Sequence, residues 1–395
     1  MVMLTLIIAK WMKIGGRALI YLDNSATTKP YDDVLETYIK VSKDYFANPS
    51  SIHSLGGKVE KLLQQSRSMI ASFLHVHDSE IIFTSGGTEG NNLAIKGSAL
   101  AKKNIGNHII TSSIEHPSVS EAFKQLKQEG FQVSFLDVYG DGRIDVTQLK
   151  ELLNDKTILV SIIHVNNEVG TIQPLEEIGK ILSDYPNATF HVDHVQGISK
   201  VPLSLEGCGV DLCTMSAHKF HGLKGNGILY RKKGTKLAPL FVGGEQEWMI
   251  RSGTENVAGI VAMTRALRIS LEKEVHLLQE LSVQTRTALQ QIEGVNVNTP
   301  KSNCAPHIIN FSVPGVKSEV LVHALGKKEI YVSTTSACSS KRKAPSKTLK
   351  AMGVNEDIAN SSIRISFSFE TTKHEINTFL SELEKSIKQI KEVTR

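Results

Sequence analysis

Cysteine is scarce. Four residues in 395 (Cys208, Cys213, Cys304 and Cys338), irregularly spaced, cannot form a disulfide framework, and this points to a reducing, cytoplasmic setting. No apolar run approaches the roughly 20 residues that a membrane-spanning helix needs, so no membrane role is expected. Low-complexity tracts and internal repeats are missing as well. The charge excess is only +5, which permits an anionic partner without requiring one. The one compact basic run, Lys341-Arg342-Lys343, is too short for a nucleic-acid surface and reads as a solvated loop or a docking patch for a protein. Two familiar phosphate-binding patterns are absent too. The glycine-rich stretch 85–92 lacks the lysine-plus-Ser/Thr ending of a P-loop, and it is not G-x-G-x-x-G.

What remains is an ordinary globular composition, 41% apolar and 22% charged, long enough for one large domain or two. Residues 1–18 stand apart. Their apolar stretch 2–9 is followed by Lys10 and Lys13 with no small-residue cleavage site, a poor fit to a secretory signal. They read as an extension outside the fold, from an upstream start codon or as a flexible lead.

From Leu19 onward, short apolar runs (80–84, 107–111, 133–136, 157–165, 189–192, 212–216, 227–230) alternate with amphipathic stretches (58–74, 90–102, 119–128, 147–153, 176–184). That alternation predicts βαβ units and a largely parallel sheet covered on both faces, an α/β fold. The pattern predicts almost unbroken helix over 257–292, then strands at 307–312, 331–333 and 362–368 and a charged helix over 373–393. A second, smaller α+β domain is therefore expected, with 29–275 forming the large domain and 19–28 plus 276–395 the small one.

In open α/β sheets, ligands bind beyond the carboxyl ends of the strands. Five expected strands end in polar clusters: Ser85–Asn92, Glu115-His116-Pro117, Asn166-Asn167-Glu168, Asp193-His194-Val195-Gln196 and His218-Lys219. The first is glycine-rich and opens a helix, so its backbone N–H groups can hold a phosphate. Asp193 directly follows a strand, where a carboxylate can keep a cationic ring nitrogen protonated. Lys219, between two histidines with small residues behind and glycines ahead, is placed to lose its proton and act as a nucleophile. A metal reading competes, because His191, Asp193, His194, His218 and His221 offer ligands at short spacing. In a strand, however, His194 opposes the other two, and a metal leaves Lys219 without a role. A lysine for a Schiff base, a carboxylate for a pyridinium nitrogen and a phosphate loop are together the demands of pyridoxal 5'-phosphate.

The residues then resemble the cysteine desulfurases of the class V aminotransferase group, NifS/IscS-like. The motifs that carry the resemblance are Tyr21-Leu22-Asp23-Asn24-Ser25-Ala26-Thr27-Thr28, Thr84-Ser85-Gly86-Gly87-Thr88-Glu89, His164-Val165-Asn166-Asn167-Glu168, His191-Val192-Asp193, Arg251-Ser252-Gly253-Thr254-Glu255-Asn256, Ser336-Ala337-Cys338-Ser339-Ser340 and Ser361-Ser362-Ile363-Arg364. The resemblance implies a pyridoxal-phosphate-dependent transferase of fold type I and a homodimer. It gives Lys219 the Schiff base, His116 a stacking place on the ring, Asp193 the ring nitrogen and Gln196 the phenolic oxygen. Gly87, Thr88, Ser216 and His218 surround the phosphate, joined by Thr254 across the dimer interface, while Asn167 and Arg364 bind the substrate carboxylate, a bidentate task suited to guanidinium.

Cys338 lies in a run of small polar residues followed by three cations and a proline, the composition of an exposed loop, and nearby cations favour its thiolate. The resemblance implies that L-cysteine becomes L-alanine while Cys338 takes the sulfur as a persulfide and passes it to an acceptor protein. His194, Val195, Ala217, Leu223 and Thr334-Thr335 depart from the usual motif. The variant pattern is similar to that of desulfurases dedicated to a tRNA 4-thiouridine synthase, rather than of members whose longer tail docks an iron–sulfur scaffold. The alternatives are a selenocysteine lyase or another class V aminotransferase, which need Lys219 but no mobile thiol, and an inactive sulfur-carrier or scaffold paralogue.

Overall fold

The computed structural model describes residues 19–334 and 346–394. Residues 1–18 and the Cys338 segment lie outside the described residues.

After a two-residue strand β1 (Ile20–Tyr21), the chain forms helices α1 (Asp32–Asp44) and α2 (Ser54–Leu74). The alternation that begins at residue 58 does not reveal α1. The main sheet is built from β2 (Ile81–Thr84), β3 (His108–Ser112), β4 (Gln132–Leu136), β5 (Thr157–Ile163), β6 (Thr189–Asp193), β7 (Leu212–Ser216) and β8 (Gly227–Arg231). Its order is β2-β8-β7-β6-β5-β3-β4. Neighbours from β7 to β4 run parallel, while β8 is antiparallel to both β2 and β7. Buried on both faces, β5 is apolar almost throughout, as a covered parallel strand must be.

Helices α3 (Gly87–Lys102), α4 (Pro117–Gln128), α5 (Val146–Leu152) and α6 (Leu175–Leu182) connect these strands. Each begins just beyond a strand's carboxyl end or one loop later, so the polar clusters gather along one sheet edge. Pro117 at the first position of α4 has no N–H to waste there. Gly86, before α3, sits at φ 145°, a conformation open to glycine, and a Cβ on Gly87 would come within 3.0 Å of Val195 Cγ2.

The continuous helix expected over 257–292 is instead two helices, α7 (Val257–Leu271) and α8 (Val275–Gln291). The apolar period runs on through both, but they serve different cores. Ile260, Met263 and Leu267 of α7 pack with the main sheet, and Leu278, Leu281 and Leu289 of α8 pack elsewhere. The chain turns at Glu272-Lys273-Glu274, an exposed charged triplet without glycine or proline, and Glu274 is extended (φ −84°, ψ 105°).

The second core includes Ile20 and Leu22 with residues from β9 (Asn296–Val297), β10 (Ile308–Ser312), α9 (Ser318–Gly326), β11 (Ile330–Tyr331), β13 (Ser362–Ser366) and α12 (Lys373–Thr394). The expected strand over 331–333 is divided. β11 pairs in parallel with β1, and β12 (Ser333–Thr334) pairs with β13 in the sheet β12-β13-β10-β9. Short helices α10 (Lys347–Ala351) and α11 (Glu356–Asn360) lie before β13. Among the described residues, no helix is long and apolar enough to cross a membrane.

Candidate active site

A cavity of about 240 Å³ opens at the carboxyl edge of the main sheet, lined by residues from all five polar clusters. Gly87 and Thr88 enter from the start of α3, whose N-cap Gly86 supplies no side-chain hydrogen bond. The first N–H groups of that helix therefore have no capping side chain and, with the helix dipole, suit an anion. Ser216 ends β7, and His218 and Lys219 follow in a 3₁₀ turn (Ala217–Lys219) on the same wall. Burial, with Lys219 second, pulls His218 down to about 3, so it is neutral at pH 7.

Lys219 Nζ donates to the carbonyl oxygens of Ser25 and Ala26, the latter at 2.8 Å. Lys200, fully enclosed, donates its Nζ to the Lys219 carbonyl at 2.8 Å, and burial followed by the Lys219 charge pulls Lys200 down to about 7. The two lysines are thus joined through the backbone of the 3₁₀ turn.

Asp193, 3% exposed at the end of β6, accepts from the Val195 backbone N–H (3.0 Å) and from Asn91 Nδ2 (2.8 Å). Gln196 lines the cavity and donates Nε2 to the Ser25 carbonyl at 2.9 Å. His116 caps α4 through Nδ1, and burial holds it below the usual histidine range. Its neighbour Glu115 is buried, its Oε1 accepting from Ser112 Oγ (2.5 Å) and Ile163 N (3.0 Å); desolvation pushes it up to about 8.

Asn167 also lines the cavity, but Thr254 and Arg364 do not. Thr254 is exposed in the loop before α7. Arg364, buried on β13, gives Nη1 to the Asn167 carbonyl (2.8 Å) and Nη2 to Asp23 Oδ1 (2.9 Å), and its buried Nε has no partner. Ala26, Asn91, Ser118, Ile163 and Val195 also line the cavity, and none of them was expected from sequence to hold cofactor or substrate. Two had a signal: Asn91 lies one helical turn after Gly87, and Ser118 two residues after His116.

The histidines of the competing metal reading are engaged otherwise. His191 meets Ser161 Oγ (2.8 Å) and Thr214 Oγ1 (3.0 Å) with its two ring nitrogens, and His221 Nδ1 meets the Lys29 carbonyl. His194 Nδ1 lies 2.7 Å from His164 Nδ1.

Pyridoxal phosphate fits the groups present. Its phosphate matches the uncapped start of α3 with Ser216 and the neutral His218, its ring nitrogen matches the acceptor-only carboxylate of Asp193, and its aldehyde carbon matches an amine. The unpartnered buried Asn91 Oδ1 leaves polar capacity on the same wall. Fold and cavity thus define the class, an α/β enzyme dependent on pyridoxal phosphate.

The aminotransferase class-V family model matches residues 20–379. A NifS/IcsS protein homolog of Lactobacillus delbrueckii subsp. bulgaricus is 47% identical over 368 residues, covering 92% of this chain and 96% of that one. Cysteine desulfurase IscS of Dictyoglomus turgidum is 43% identical, covering 95% and 96%. The solved structure of a NifS-like protein superposes with TM-score 0.88 at 38% identity, covering 93% and 99%. The chain belongs to the aminotransferase class-V family, among its NifS/IscS cysteine desulfurases.

Proposed function

We propose that the protein takes sulfur from L-cysteine, releases L-alanine and holds the sulfur as a persulfide on Cys338 for delivery to an acceptor protein. The observation that carries this reading is the meeting of Lys219, Asp193, His116 and the uncapped start of α3 around one cavity, in a chain of the desulfurase family.

In this reading Lys219 and Asp193 hold the cofactor at its two reactive ends, while Gly87, Thr88, Ser216 and His218 hold its phosphate. His116 faces the ring and Gln196 its phenolic oxygen. When bound, the cofactor supplies an electron sink for the substrate's α-carbon. Asn167 and Arg364 fix the substrate carboxylate. Lys219, released from its carbonyl contacts, moves the α-proton. The Cys338 thiolate attacks the substrate sulfur. An S–S bond forms, the C–S bond breaks with its electron pair left on carbon, and that carbon takes a proton to give alanine.

Two features belong to the same proposal. Thr254 completes the phosphate site of a second copy, and a homodimer is supported by its exposure together with large exposed side chains nearby, Trp248 and Met249. The acceptor is a tRNA-thiolating protein of the 4-thiouridine synthase type, supported by the variant residues His194, Val195, Ala217 and Leu223.

The test follows ³⁵S from labelled cysteine in wild-type protein and in Cys338→Ser. Label on the wild type, none on the serine variant, and transfer to a tRNA-thiolating acceptor is the expected result. Alanine release that persists in Cys338→Ala favours a lyase of the selenocysteine type. Transfer to an iron–sulfur scaffold alone overturns the choice of acceptor.

A further inference from the structure

A directed chain of hydrogen bonds joins the two residues that flank the cavity, Asp193 and His116, through two residues with no assigned role. Asn91 Nδ2 lies 2.8 Å from Asp193 Oδ2 and 2.9 Å from Ser118 Oγ, and Ser118 Oγ lies 2.8 Å from His116 Nδ1. Asn91 is 1% exposed and Ser118 9%.

The direction of each bond follows from elementary donor–acceptor counting. An ionised carboxylate only accepts, so the amide nitrogen of Asn91, not its oxygen, must face Asp193. The second N–H of the same nitrogen then points at Ser118 Oγ, which accepts it. The Ser118 hydroxyl proton is left to go to His116 Nδ1. A further donor, the Ser118 backbone N–H, also meets that nitrogen at 3.2 Å, and it cannot reverse. Nδ1 is thus an acceptor twice over, and the imidazole proton resides on Nε2.

We infer that Asn91 and Ser118 are positioning residues that transmit the charge of Asp193 into a fixed Nε2–H tautomer of His116. The charged and titratable groups around His116 are Asp193, Lys219 and His218. Burial disfavours the imidazolium more than the Asp193 charge favours it, and Lys219 adds to the burial, so the neutral ring is the form whose tautomer matters. His116 therefore presents a donor to the cavity. It offers a hydrogen-bond donor there and no acceptor lone pair at Nε2. The consequence for catalysis rests on the reading of His116 as a group facing the cofactor; the tautomer is a property of the protein itself.

The test is two-bond ¹H–¹⁵N NMR of the pyridoxal-phosphate-loaded protein labelled with ¹⁵N-histidine, with His116 assigned by its absence in His116→Gln. The wild type should show Nε2 protonated and Nδ1 bare at pH 7. Ser118→Ala and Asn91→Leu should each lower the ratio of Nε2–H to Nδ1–H forms by about fivefold, the scale of one lost hydrogen bond. Ser118→Thr, which keeps the hydroxyl, should hold the wild-type ratio. An Nδ1–H tautomer in the wild type overturns the inference, and that spectrum decides it even if a variant fails to fold. An unchanged ratio in both Ser118→Ala and Asn91→Leu, or a threonine variant that behaves like alanine, overturns it too. The spectra need no turnover, so loss of desulfurase activity with the tautomer intact counts against the proposed function and not against this inference.

Discussion

Arg364 and Asp23 stand 341 positions apart in the chain and meet at 2.9 Å, guanidinium Nη2 to carboxylate Oδ1. The contact joins β13 to the turn after β1, the segment whose next carbonyls receive Lys219. Asp23 and the Asn167 carbonyl orient the guanidinium while its Nε stays unpartnered. Arg364→Lys loses the planar fork and should raise KM for cysteine about tenfold to a hundredfold with little change in cofactor absorbance. Asp23→Asn keeps the shape and should cost less. Steady-state kinetics on both variants reads this. An unchanged KM in Arg364→Lys removes Arg364 from substrate binding.

Glu115 gives a pH prediction with a definite sign. Desolvation, which outweighs its hydrogen bonds from Ser112 and Ile163, raises its carboxyl from 4.5 to about 8 in the folded chain. A group whose folded value is raised gives stability that is complete below the unfolded value and is lost as pH rises through the folded one. Glu115→Gln keeps the acceptor oxygen and removes the titration. The melting temperature of the variant relative to wild type should therefore rise steadily from pH 4.5 to about 8 and then level off. A difference flat across that window would mean that Glu115 does not titrate there.

Glu247 lies in a run with positive φ at three successive residues, Glu247 (45°), Trp248 (60°) and Met249 (60°). Such a run costs energy at each non-glycine residue, so something must hold it. Glu247 does: it takes a two-pronged contact from buried Arg67 (2.7 and 2.9 Å) and the Phe83 N–H at 2.9 Å, while Arg67 packs over the Phe83 ring. Glu247→Ala leaves the Arg67 charge buried without its partner. Chemical denaturation should show a loss of about 3–5 kcal/mol, with tryptophan fluorescence reporting a changed Trp248 environment.

The alternation of apolar runs and amphipathic stretches makes the main sheet legible, because parallel strands buried on both faces must be apolar and their helices one-sided. The cavity is legible for the same reason, since Asp193 ends its strand and Lys219 lies three residues beyond its own. What the pattern hides is direction and discontinuity. The antiparallel course of β8 leaves no trace in a five-residue strand, and the break before α8 falls at charged residues that a helix surface would equally carry. Asn91 and Ser118 are only half visible, since their spacing from Gly87 and His116 places them near the site, but a helix-interior amide and a serine beside a proline acquire a role only when their partners are in place.

Lys200 supplies the counterpart to Glu115, with the opposite sign. Burial, then the Lys219 charge, lowers it from 10.5 to about 7, and its Nζ donates to the Lys219 carbonyl. A group with a depressed folded value gives stability that is present above the unfolded value and is lost as pH falls through the folded one. Lys200→Met fills similar space without a charge. Its stability relative to wild type should improve as pH falls from 10.5 to about 7 and stay constant below, on top of a fixed cost for the lost hydrogen bond of about 1 kcal/mol. Because that bond holds the turn carrying Lys219, the variant should also bind pyridoxal phosphate more weakly at every pH, which dialysis followed by absorbance measures. A variant that gains stability at low pH while retaining the cofactor as wild type does would show that Lys200 burdens the fold without positioning Lys219.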